Sequence, residues 1–313
     1  MNAGNLIFKK SGSMSIVQFR TDEVNSFGYI SLSNALKNKL AEVKEVSESG
    51  SVNNLSFVNH SDKFIFMSDG DILSGAKQNR VLNTSVLVSP VSKVTIPVSC
   101  VEAGRWRYSR KDFSDTEYNA PVYMRSEKAK SVKKNLNIEN VFFADQSRVW
   151  DDVSDYEAVF NMQSSTSNLS DIFEDRKDDL SEFVKNFTPE KDSNGLGIFV
   201  HNKLLNLEIF NRSDIYNEYF TKLLKSAAFE AIHLKKAENT LTEAEALYKT
   251  NDFIDRITGL KYEIHQGAGA GMEKRFDTND TNDTNNTNDM TGFELEYENK
   301  MIHFVALNLK LNE

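Results

Sequence analysis

IFVHNKLLNLEIFN, residues 198–211, lies without gaps over LEYENKMIHFVALN, residues 295–308, and Asn202-Lys203 meets Asn299-Lys300 at the centre. Each stretch is a pair of apolar-rich β runs around an asparagine, a residue that tolerates the left-handed conformation of tight turns, so both are predicted hairpins. Two explanations stand side by side. The hairpins are related copies that contribute twice to one sheet system, or they are separate solutions to the same turn problem. Between them TNDTNDTNNTND (278–289) carries no apolar side chain. Such a segment cannot bury enough surface to offset chain entropy, and residues 277–291 are expected to be a disordered low-complexity insertion. A calcium loop is disfavoured, because the glycine turn and closing glutamate of an EF-hand are missing.

On either side of the first hairpin the texture is helical. Ser213 to Lys236 predicts a long helix, Leu169 to Phe187 an apolar stripe among acids that ends before Pro189, and Gln146 to Met162 a helix with Val149, Trp150, Val153, Tyr156 and Phe160 on one side. Met124 to Asn135 reads as a basic helix. Arg125, Lys128, Lys130, Lys133 and Lys134 form a run that ordinarily marks a solvated face, or else docks an anion or partner. Residues 52–101 are rich in β-branched and aromatic residues punctuated by Asn, Asp, Gly and Pro, and predict antiparallel β structure. Before them Leu32, Leu36, Leu40 and Val43, with Ser31 as N-cap, predict a helix over 31–43. The fold class that follows is α+β: a β-rich N-terminal half, a helical middle, and C-terminal hairpins with a long helix. No Pro/Gly/Ser linker divides the chain, so residues 1–313 are expected to form one integrated unit.

With a net charge of -9 and a pI near 5.3, the chain is not expected to present an extended nucleic-acid surface, and an anionic ligand needs a focused pocket. No apolar run is long enough to cross a bilayer and the start lacks a signal-peptide core, so no membrane partner and a soluble, cytoplasmic protein are expected. The single cysteine, Cys100, fits a reducing compartment. The five histidines show no metal-ligand spacing, and no metal site is predicted. His303 is the one to watch, because it sits mid-strand among apolar neighbours.

Two polar segments flank the β runs. In SGAKQNRVLN (74–83) the glycine lets backbone amides approach a ligand, Lys77 and Arg80 can hold phosphate or carboxylate oxygens, and Gln78, Asn79 and Asn83 can read polar ring edges. The competing reading is a polar connection whose carboxamides satisfy neighbouring backbone. The second segment holds Ser99, Cys100, Glu102, Gly104, Arg105 and Trp106. There the indole can stack on a base, Arg105 can pair with an anion, and Glu102 can accept a hydroxyl or act as a base. Cys100 reads as inert, for want of a thiolate-stabilising partner. Gln146 and Trp150 lie one helical turn apart, and Trp150 belongs to the apolar stripe. GAGAG (267–271), followed by Lys274 and Arg275, reads as a flexible connection before an anion cradle.

DGDILSGAKQNRVLNTSVLV (69–88), SKVTIPVSCVEAGRW (92–106), DQSRVW (145–150) and the GIFVHNK hairpin (197–203) together resemble the bacterial and archaeal domain named for its association with ADP-ribosylglycohydrolases and rhodanese-phosphatase proteins. The similarity covers most of the chain in the same order. What it implies is a connection to ADP-ribose or NAD-derived metabolism, through an ADP-ribosylglycohydrolase-linked pathway. It also implies a polar signature on Asp71, Gly75, Lys77, Gln78, Asn79, Arg80, Asn83, Glu102, Gly104, Arg105, Trp106, Gln146 and Trp150. Asp71 stands where the resemblance leads one to expect glutamate, which leaves a proton-transfer role there open.

The expected site therefore binds a nucleotide-like small molecule where the loop after the 63–68 strand meets the 99–106 segment. Lys77, Gln78, Asn79, Arg80, Asn83, Arg105, Trp106 and Gln146 would be its binding residues, and Asp71 and Glu102 its acid or base. No cofactor is indicated. A non-catalytic binding module and a scaffold whose polar cluster merely fixes the sheet-to-helix junction are the alternatives.

Overall fold

The computed structural model describes residues 1–309 except 23–24, 26, 234–239 and 279–288. Most of the TND repeat thus lies outside the described residues. In the N-terminal half come β1 (Ala3–Ser11), β2 (Met14–Thr21), β3 (Tyr29–Ser31), α1 (Leu32–Lys37), β4 (Ala41–Glu45), β5 (Asn54–Asn59) and β6 (Phe64–Met67). They are followed by β7 (Asp71–Gly75), β8 (Arg80–Leu82), β9 (Val86–Val88), β10 (Ser92–Cys100) and β11 (Phe113–Asn119). The helical middle is α2 (Val122–Glu139), α3 (Gln146–Val159), α4 (Leu169–Asp175) and α5 (Lys177–Val184). The C-terminal part holds β12 (Gly195–Val200), β13 (Lys203–Phe210), α6 (Ser213–His233), α7 (Glu243–Ile257), β14 (Glu263–Gln266), β15 (Met272–Asp277), β16 (Met290–Tyr297) and β17 (Lys300–Asn308). The chain is an α+β protein with a β-rich N-terminal half.

The quoted hairpins are β12–β13 and β16–β17, and they sit at the centre of an eight-stranded sheet ordered β1-β2-β12-β13-β17-β16-β15-β14. The repeat alignment makes Val305 the counterpart of Glu208, and these two residues pair directly across β13 and β17. The hairpins are therefore related by a pseudo-two-fold axis through that pair. Both also carry a bulge at the corresponding place, between Ile198 and Phe199 in one and between Leu295 and Glu296 in the other. Their turns differ. Glu298 and Asn299 are both left-handed, as expected of asparagine, but in the first hairpin the left-handed residue is His201 (φ 54°) and not Asn202.

Both faces of this sheet are covered. Ile16, Ile198, Phe293 and Val305 point to one side, under α2 and α6, while Val17, Phe199, Phe276 and Phe304 point to the other, under α7. Double coverage is why these strands read as nearly continuous apolar runs.

A six-stranded sheet, β11-β7-β8-β10-β5-β4, packs around a third core built from Leu32, Val43, Phe57, Leu73 and Val98. It curls until its two edge strands, β4 and β11, face each other across a seam without ladder pairing. A small sheet, β3-β6-β9, closes one side, with β3 and β6 parallel.

Two helix expectations are corrected. The predicted helix over 31–43 stops at Lys37, the chain reverses at Lys39 (φ 57°), and Val43 lies in β4 opposite Phe57. In this short segment the alternating inward positions Ala41 and Val43 prevailed over the helical spacing. The stripe over 169–187 is two helices, α4 and α5, broken at Arg176. The solvated-face reading of the basic run also fails for part of it, because Arg125 and Lys128 are fully buried. Arg125 bridges Asp69 (2.9 Å) and Glu208 (2.7 Å), and Lys128 reaches Asp69 (3.3 Å). Only Lys130 and Lys134 of that run are exposed. Among the described residues no helix is long and apolar enough to cross a membrane.

Candidate functional site

The turn between β7 and β8 is shaped by Gly75 (φ 134°) and Ala76 (φ 39°), and it throws Lys77, Gln78 and Asn79 toward the loop after β10. Asn79 caps this turn from within. Its Oδ1 accepts from the Gly75 amide (3.0 Å), and its Nδ2 donates to Asn168 (3.1 Å) and Ser170 (3.2 Å). Glu102 joins the two segments by accepting from the Asn79 amide (3.0 Å), from Arg105 on both oxygens (2.7 Å each) and from Thr166 (3.0 Å). Burial works against this carboxylate, but the Arg105 and Asn79 hydrogen bonds outweigh it and hold its pKa below the ordinary value. Arg105 in turn donates to the Ala76 carbonyl (2.6 Å). The Glu102–Arg105 pair thus clamps the loop over 101–112 onto the β7–β8 turn.

Arg80 is fully buried behind this clamp. Its guanidinium donates to the Gln78 carbonyl and side chain (3.2 Å each) and to the Ser51 carbonyl (3.3 Å), and lies 3.6 Å from Glu45. The guanidinium carbon is 5.6 Å from the centre of the Trp106 ring. The two polar segments converge, as the sequence leads one to expect. The Lys77 ammonium, which is buried and donates to the Ser49 carbonyl (2.9 Å), stands 5.4 Å from Trp106 and 5.3 Å from Tyr108. Trp106 is 47% and Tyr108 50% exposed, unusual for large aromatic side chains. Gly50 (φ 80°) lets the indole seat so closely that a Cβ there would lie 3.2 Å from Trp106 and from Lys77.

Tyr108 forms one wall of a cleft of about 760 Å³, whose other walls carry Lys44, Glu45, Arg110 and Lys111. Glu45 Oε2 has no hydrogen-bond partner there. The arrangement offers the Tyr108 ring with Trp106 beside it, the cations Lys44, Arg110 and Lys111, and the carboxylates of Glu45 and Glu48, which suits a planar ring bearing an anionic group.

Other predicted residues lie elsewhere. Asn83 is buried at the end of β8, where it donates to the Phe142 carbonyl (3.1 Å) and accepts from Ser99 (2.9 Å). Gln146 bonds both the amide (2.7 Å) and the carbonyl (2.8 Å) of Cys100, which pins the start of α3 to β10. Asp71 is fully buried against α6, where it accepts from Tyr219 (3.0 Å) and Lys222 (3.1 Å). Burial raises its pKa. None of the partners of Asp71 contacts Glu102, so the two carboxylates are not brought together. Burial also pushes the Cys100 thiol up to about 11, which leaves it protonated at neutral pH. The GAGAG connection is packed, with the Ala270 amide on the Leu87 carbonyl (2.7 Å). Lys274 pairs with Glu294 and Glu296, and Arg275 with Glu273.

Sequence reasoning missed Lys44, Glu45, Tyr108, Arg110 and Lys111. The signal for three of them was present in GRWRYSRK (104–111), which interleaves cations with aromatics.

Fold and site together define an α+β protein of two main sheet systems with a cationic, aromatic cleft beside the seam of the smaller one. The chain belongs to the ARG and Rhodanese-Phosphatase-superfamily-associated Protein domain family, whose model matches residues 7–307. No curated protein and no solved structure matches it.

Proposed function

We propose that this chain binds an anionic ligand with a planar ring, of the nucleotide class that includes ADP-ribose and other NAD-derived metabolites. The observation that carries this reading is the half-exposed pair Trp106 and Tyr108 flanking the Lys77 ammonium at 5.4 and 5.3 Å beside a cation-lined cleft. In a chain of net charge -9, the half-exposed rings beside the exposed Lys111 and Arg110 concentrate positive charge and π faces at one surface. The family's named association with ARG supports the ADP-ribose direction.

In this reading Trp106 and Tyr108 stack the ring, while Lys77, Lys44, Arg110 and Lys111 neutralise the anion. Arg80, Gln78, Asn79, Glu102 and Arg105 hold the loop in place and do not touch the ligand. Because both Glu102 oxygens are taken by Asn79, Arg105 and Thr166, and Asp71 is enclosed by α6, the reading is of binding, without turnover. It is tested by calorimetric titration of ADP-ribose into the wild type and a Trp106→Ala variant. Saturable binding by the wild type is expected, weakened in the variant by about 1–3 kcal/mol, or roughly ten- to hundred-fold in Kd. Equal affinities, or no binding to the wild type, would refute it.

A further inference from the structure

The cleft beside Tyr108 adjoins a larger groove. That groove, of about 1200 Å³, runs along the seam between β4 and β11 and is closed on its far side by α6. The divider between the two is thin. It consists of the Lys44–Asp112 ion pair, 3.9 Å long and exposed on both sides (40% and 55%), and of the Arg110 side chain. Arg110 lines the cleft but donates to the Ser74 carbonyl and to Ser114 Oγ, and both residues line the groove. Gly75 makes this crossing possible, since a Cβ there would lie 2.5 Å from Arg110 Nε. A guanidinium therefore stands at the junction of the two spaces.

The two spaces differ in chemistry. The cleft has rings and cations. The groove has hydroxyls, from Ser33, Thr116, Ser170 and Thr221, and on its floor the Lys222 ammonium between Asp71 (3.1 Å) and Asp115 (2.7 Å). Hydroxyls, carboxylates and an ammonium together exchange hydrogen bonds with a polyhydroxylated group, while Leu36, Val43 and Phe113, which also line the groove, can pack against the C–H face of a sugar.

We propose that the groove is a distal subsite and that the ligand is two-headed: a base at Trp106 and Tyr108, a diphosphate at Arg110 and Lys44, and a hydroxyl-rich group, such as a second sugar, in the groove. This inference rests on the nucleotide reading of the cleft and deepens it. Lys44 also pairs with Glu42, and exposed pairs such as Lys44–Glu42 and Lys44–Asp112 contribute little to stability, so a phosphate can displace both carboxylates from Lys44 at small cost.

The test is a calorimetric length series of AMP, ADP and ADP-ribose on the wild type, on Thr221→Arg, which fills the groove from the exposed face of α6, and on Trp106→Ala. The wild type is expected to bind ADP-ribose about ten-fold or more tighter than ADP, the increment of two or three added hydrogen bonds. Thr221→Arg should erase that increment while leaving AMP and ADP affinities unchanged, and Trp106→Ala should weaken all three ligands. If ADP-ribose binds no tighter than ADP, or if Thr221→Arg weakens every ligand equally, the distal subsite is wrong while the cleft reading stands. If none of the three binds the wild type, the cleft reading fails and the subsite fails with it. Far-ultraviolet circular dichroism and melting of the Thr221→Arg variant establish that it is folded.

Discussion

Replacing Arg125 by methionine tests the buried ionic junction that ties α2 to both main sheets. The guanidinium is fully buried, 2.9 Å from Asp69 in the β6–β7 turn and 2.7 Å from Glu208 at the pseudo-two-fold axis. After substitution Asp69 retains Lys128 at 3.3 Å, so the uncompensated charge is that of Glu208, with His303 at 3.2 Å and the neutral Asn206 amide donating to it at 3.0 Å. Breaking a buried pair from one side costs about 3–5 kcal/mol. At about 2–4 °C per kcal/mol for a chain of this size, melting should fall by on the order of 10 °C.

The pH dependence gives a second signature. Burial alone would raise the Glu208 carboxyl, but Arg125 and His303 outweigh it and hold it at about 2. In the wild type this contribution is therefore complete above the unfolded carboxylate value and is lost only as pH falls toward 2. Without Arg125 the buried carboxyl is raised instead, so the variant loses stability as pH rises through neutrality. Hence the gap between the two proteins should be widest near pH 7 and narrow toward about pH 5. An Arg125→Met, Glu208→Gln double variant should recover most of the loss, because no lone charge remains. Thermal melts followed by circular dichroism at both pH values measure this. A loss under about 1 kcal/mol, or a gap that does not change with pH, would refute the reasoning.

Glu230→Gln should have the opposite sense. Burial raises this carboxyl from 4.5 to about 7 despite hydrogen bonds from Tyr156 and the Tyr123 amide, so ionising it costs about 2–3 kcal/mol at alkaline pH. The amide can still accept both hydrogen bonds, and the variant should melt higher than wild type at pH 8 with a flatter profile between pH 5 and 8; a lower melting point at pH 8 would oppose this. Gly292→Ala places a Cβ 1.9 Å from the Val305 carbonyl oxygen, backbone that cannot move aside, and should cost at least about 3 kcal/mol or abolish soluble expression. Glu102→Gln removes the charged clamp on Arg105 and should lower stability by about 2 kcal/mol and weaken ADP-ribose binding through the displaced loop, as read by melting and calorimetry; unchanged affinity would free the clamp of any role in the site.

Much of the sheet architecture was legible because turn chemistry and β-branched runs are local. The Asn202 and Asn299 hairpins were placed correctly from sequence, and their symmetry was one of two open readings that only the register through Glu208 and Val305 could favour. Non-local pairing was not legible. Nothing near Val43 announces that Phe57 lies opposite it, so the segment from Leu36 to Val43 read as more helix. The α2 cations were read as solvated because their partners, Asp69 and Glu208, are remote in sequence. In the site, the convergence of Arg80 with Trp106 was legible, whereas Glu45 joins them only through curling of the six-stranded sheet. Asn83 and Gln146 show the limit of composition: carboxamides near a polar cluster can as well serve backbone groups, and here they do.

The central claim is that Trp106 stacks a ligand ring, and its own fluorescence reports on that contact. The chain has 2 tryptophans, so a Trp150→Phe variant leaves Trp106 as the sole indole. Titrating ADP-ribose into this variant should quench the emission saturably, with the Kd found by calorimetry. Calorimetric binding with no change in Trp106 emission, or no binding at all, would contradict the account.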